Sequence, residues 1–97
     1  MFDRMKELME MQKKMQELKR ELENTNFEVS SSDGLVKITM NGAQEVKEVS
    51  LSDESLSTER SAFEKAIKDA FNRSIKRAQE VAAEKMKRIS GLNLPGM

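Results

Sequence analysis

At 97 residues the chain is one small domain, and domains of this size bury only a modest share of their surface. It holds no His and no Cys, which excludes imidazole acid–base chemistry, Cys/His zinc sites, thiol nucleophiles and disulfides. The carboxylates, Lys and Ser that remain show no catalytic spacing, so neither an enzyme nor a cofactor is expected. Seventeen basic side chains balance seventeen acidic ones, and eight Met with four Phe supply much of the apolar bulk. Met fills irregular gaps but specifies a core poorly, so a second copy of the chain is expected to complete it.

The opening helix is expected within residues 1–23, from about Asp3 to Glu23. Met1, Leu8, Met15 and Leu22 recur every seven residues, with Met11 and Leu18 at the alternate positions, a coiled-coil-like seam interrupted by Arg4. Met5 and Met9 widen the stripe. The outer faces are sorted by sign, with Lys6, Lys13 and Arg20 on one stripe and Asp3, Glu10 and Glu17 on another. Charges break every apolar run near the start, so the segment does not read as a signal peptide. No stretch approaches the roughly 18 apolar residues of a membrane span. A cytoplasmic protein is expected.

Asn24-Thr25-Asn26 ends the helical pattern, and residues 26–51 read as three short strands. Phe27 and Val29 alternate with polar neighbours. Ser31-Ser32-Asp33-Gly34 is a turn with Gly34 suited to positive φ. Val36, Ile38 and Met40 share one face of the next strand, and Asn41-Gly42 is a strong hairpin signal. On the return strand Val49 and Leu51 alternate, but Val46 is out of phase, which predicts a bulge or twist near Glu45-Val46. Both sheet edges are open, and pairing across a two-fold axis would close one. Leu56 is the expected anchor of the polar connection that follows.

The second helix is expected over 57–90, capped by Ser57 or Thr58, with Ser61 to Glu64 a further capping box. Phe63, Ile67, Ala70, Phe71, Ser74, Ala78 and Val81 follow helical spacing. Gly91 fits the stop position, Pro95 forbids continuation, and 91–97 is expected to be a flexible tail. Charge is polarised along the chain: residues 24–59 carry two basic against seven acidic side chains, residues 60–97 nine against four. Such local fields, rather than a zero total, steer a polyanion.

The chain resembles the YbaB/EbfC family of small bacterial nucleoid-associated DNA-binding proteins. The resemblance rests on the run Met9-Glu10-Met11-Gln12-Lys13-Lys14-Met15, on Gly34-Leu35-Val36-Lys37-Ile38 followed by Asn41-Gly42, on Ala70-Phe71-Asn72, and on Lys85-Met86, Ser90-Gly91-Leu92 and Leu94-Pro95-Gly96. It implies an α+β fold in which each subunit is α-β-β-β-α, a tweezer-like homodimer, and binding to double-stranded DNA with little sequence preference in the nucleoid.

Such binding would run through Lys and Arg contacts to phosphates. The candidates are Lys13 and Arg20 on the first helix, with Arg73, Lys76, Arg77, Lys85 and Arg88 on the second. No aromatic side chain interleaves with them, which argues against stacking on single strands. The competing reading is a chaperone-like or adaptor protein whose Met-rich arms grip other proteins, with Met1, Met5, Met9 and Met86 the residues in question. An amphipathic membrane-surface helix fits poorly, because the polar face of the first helix is not predominantly basic and lacks Trp.

Overall fold

The structure is a computed structural model describing residues 2–90. The order is α1 (Phe2–Asn24), β1 (Asn26–Ser30), β2 (Val36–Asn41), β3 (Val46–Leu51), a 3-10 turn (Asp53–Ser57) and α2 (Arg60–Ser90). This is the expected α-β-β-β-α arrangement. The strands form an antiparallel meander in the order β1-β2-β3. Expectations for Met1 and for 91–97 lie outside the described residues.

Phe27 pairs with Met40, Val29 with Ile38, and Ile38 in turn with Val49, so one face of the sheet is apolar throughout. α2 crosses that face mainly over β1 and β2. Small residues make the close approach possible: Ala66, Ala70, Ser74 and Ala78 are buried against Val36, Ile38 and Met40. Each large side chain so enclosed contributes about 1.5–3 kcal/mol. Ser74 Oγ donates to Ala70 O at 2.7 Å, so the hydroxyl at the centre of this contact is satisfied.

Thr39 faces Glu48 but Met40 faces Val46, which leaves Lys47 as the extra residue of a bulge. The bulge brings Val46 back into phase with Val49. In the first turn Gly34 has φ +77° as expected, and Ser31 and Asp33 organise the loop. Ser31 Oγ donates to Asp33 Oδ1 (2.7 Å) and accepts from Val36 N–H (3.2 Å), while Leu35 N–H donates to Asp33 Oδ1 (3.1 Å). These bonds hold the Asp33 carboxyl below its ordinary pKa.

The second turn differs from a two-residue Asn-Gly hairpin. Asn41 closes β2 with its side chain buried, and its Oδ1 accepts from both Ala43 N–H and Glu45 N–H at 3.0 Å. Positive φ falls on Gln44 (64°), not on Gly42. Gly42 is needed for proximity instead, since a Cβ there would lie 2.8 Å from Leu22 Cδ2 and 3.2 Å from the Leu22 Cα and O. The last carbonyls of α1 find their partners at this turn. Gly42 N–H reaches Leu22 O (2.9 Å) and Thr25 O (3.0 Å), and Asn41 Nδ2 donates to Glu23 O (3.2 Å).

Two expectations about the β3–α2 connection are corrected. Ser57 Oγ and Thr58 Oγ1 both turn back to Glu54 O, at 3.2 and 2.7 Å, so neither caps α2, which starts at Arg60. Leu56 is not an anchor: the 3-10 turn directs Ser55 inward, with its Oγ on Ser52 O at 2.7 Å, and leaves Leu56 89% exposed.

Candidate nucleic-acid interface

α2 has two flanks beside the strip it buries. On the β1 side, Asp69, Arg73, Lys76, Arg77, Glu80, Glu84, Lys87 and Arg88 follow helical spacing. On the opposite side the spacing places Phe71, Ile75 and Ala82, with Phe71 still exposed. Two grooves run along the β1-side flank. Glu28, Val29, Arg73, Lys76, Arg77 and Glu80 line one; Thr25, Arg77, Val81, Glu84, Lys85, Lys87 and Arg88 line the other. Arg77 belongs to both, so the grooves join. From residue 73 to residue 88 the helix rises about 22 Å.

The cations on this flank are not equivalent. Arg73 Nε donates to Asp69 Oδ1 at 3.1 Å, and Arg77 Nη1 to Glu80 Oε2 at 3.3 Å. Lys85 Nζ stands 3.7 Å from Glu21 Oε2, an ion pair that ties α2 to α1. Lys76, Lys87 and Arg88 form no ion pair among the described residues. Asp69 also accepts Ser32 N–H at 2.8 Å, which fixes the β1–β2 turn to α2. That backbone bond, followed by Arg73, holds the Asp69 carboxyl below its ordinary pKa, so it stays charged beside the cations.

Five of the seven residues expected from sequence therefore come together, namely Arg73, Lys76, Arg77, Lys85 and Arg88. Lys13 and Arg20 are exposed on the side of α1 away from its apolar seam and line neither of these two grooves. Lys87, not among the residues expected from sequence, lines the second groove beside Arg88; the eleven-residue step from Lys76, three helical turns, puts the two lysines along one face.

A model of the YbaB/EbfC DNA-binding family matches residues 1–92. A protein from Dictyoglomus thermophilum named "Nucleoid-associated protein" is 38% identical over 96 residues, covering 97% of this chain and 92% of that one. In fold, the chain is similar to an uncharacterized protein from Helicobacter pylori whose crystal structure is known. The TM-score is 0.74 at 22% identity, over 87% of this chain and 90% of that one. Among the described residues no helix is long and apolar enough to cross a membrane. By the extent of the family match and the identity to its Dictyoglomus relative, the chain belongs to the YbaB/EbfC DNA-binding family.

Proposed function

We propose that this protein binds double-stranded DNA in the nucleoid, with little sequence preference and as a homodimer, through Lys and Arg contacts to phosphates. The observation that carries the reading is the joined pair of grooves on α2, where Lys76, Lys87 and Arg88 form no ion pair among the described residues. A rigid helix presenting cations over about 22 Å suits a phosphate ladder and needs no base-reading device. Arg73 and Arg77 add to it by exchanging an exposed carboxylate for a phosphate, a low-cost swap because such surface pairs are weak.

The dimer forms at the β3 edge of the sheet. Val46, Val49 and Leu51 continue the apolar face of Met40, Ile38 and Val36 beyond the part that α2 covers and are 42%, 52% and 53% exposed, and β3 has an unpaired edge. A second copy on β3 leaves both cationic flanks free, because they lie on the β1 side. Sedimentation should report a dimer, and Val49→Lys should return it to a monomer.

Fluorescence anisotropy with two unrelated duplexes tests the binding itself. Three unpaired cations per subunit give at least about six contacts per dimer, and more where Arg73 and Arg77 exchange their carboxylates for phosphates, hence a slope of log K on log salt of about −5 or steeper. Affinity should then fall by about 10³ or more between 50 and 200 mM salt, alike for both duplexes. A slope shallower than about −2, or marked preference for one duplex, overturns the reading.

A further inference from the structure

Met5, Leu8, Met9, Met11 and Met15 on α1 are each at least 60% exposed. Leu8, Met11, Met15, Leu18 and Leu22 continue a single 3-4 seam, but the rest of the protein covers only its carboxy-terminal end, where Leu18 is buried. A groove of about 430 Å³ bounded by Arg4, Glu7, Leu8 and Met11 marks the uncovered end.

The flanking charges indicate what covers it. Glu7 and Lys14 occupy the same position beside the seam, one heptad apart, and neither forms an ion pair among the described residues. In an antiparallel coil this position faces its own counterpart. With Leu8 set against Met11 of the second copy, Glu7 meets Lys14 of the second copy, and the pair repeats by symmetry. The other flank brings only Met5 and Gln12 together. A parallel pair would instead set Lys14 against Lys19 of the second copy, twice over. We propose that the amino-terminal half of α1 pairs antiparallel with the same segment of a second copy. The contact is isologous and joins molecules arm to arm, so it can bridge DNA bound by each.

The absence of Cys makes the test direct. Leu8→Cys and Met11→Cys proteins are mixed and gently oxidised, and the products identified by mass spectrometry. The mixed Leu8→Cys/Met11→Cys disulfide should dominate over both homodisulfides. Glu7→Lys or Lys14→Glu alone should weaken association about tenfold or more in sedimentation, and Glu7→Lys/Lys14→Glu together should restore it. Restoration separates pairing from damage to the arm. The crosslink is repeated with Val49→Lys, so that loss of the sheet-side dimer and loss of arm pairing are read separately. Dominant homodisulfides, no disulfide, or indifference to charge reversal overturns the proposal; capture of the stripe by a different protein would give those last two results.

Discussion

Removing a carboxylate from the cationic flank should tighten DNA binding, and Glu80→Gln is the cleanest place to do it. Among the described residues the Glu80 carboxylate bonds to Arg77 alone, whereas Asp69 also holds the β1–β2 turn. The Arg77 and Glu80 side chains are 46% and 52% exposed, and a pair so solvated is worth about 0.2–1 kcal/mol. Arg77 must give that up to reach a phosphate. Glu80→Gln spares the cost, a gain of about 1.4- to 5-fold per subunit and about 2- to 30-fold for a dimer. Anisotropy titrations at fixed salt measure it, in a double-mutant cycle with Arg77→Gln. Arg77→Gln should weaken binding, and Glu80→Gln should add less in that background, where only its direct repulsion of phosphate is relieved. Unchanged affinity in Glu80→Gln, or a gain undiminished by Arg77→Gln, refutes the idea that Arg77 is held back by its neighbour.

Gly42→Ala should destabilise the fold by about 1–3 kcal/mol, since its Cβ would press into Leu22 at 2.8 Å, and the melting temperature should drop by about 5–20 °C. Gly42 does not have positive φ, so the cost is steric, and Leu22→Ala in the same chain should recover part of it in a urea-denaturation cycle. Asp69 has a depressed native pKa, so its stabilisation is complete above the ordinary carboxyl value of 3.8 and is lost as pH falls through the native value. Asp69→Asn should therefore lower the urea midpoint near neutrality and converge with the wild type in strong acid.

Local patterns proved legible where neighbours in sequence decide the outcome. The alternation of Val36, Ile38 and Met40, the positive φ of Gly34 and the out-of-phase Val46 all act within a few residues, and the sheet follows them. Gly42 shows the limit. Asn41-Gly42 reads as a tight turn, yet the glycine answers to Leu22, twenty positions away, which no local signal records. Leu56 is similar: a 3-10 turn rotates it outward, although hydrophobicity alone marks it as an anchor. At the candidate site, the second helix declared its cations, but which of them are neutralised depends on rotamers. The steps from Asp69 to Arg73 and from Arg77 to Glu80 allowed both pairs without requiring them. Lys13 and Arg20 share the charge but stand on α1, outside the two grooves.

The clasp between the end of α1 and the second hairpin has a consequence for how the family can vary. The bearing of that rod is held by amide and carbonyl groups at Leu22, Glu23, Thr25 and Gly42, together with one Asn41 carboxamide. None of these bonds depends on what residues 3–17 are. The outer rod can therefore be rewritten, turn by turn, while still leaving the body at the same angle. A foreign helix spliced ahead of Leu18 should point where the native one does.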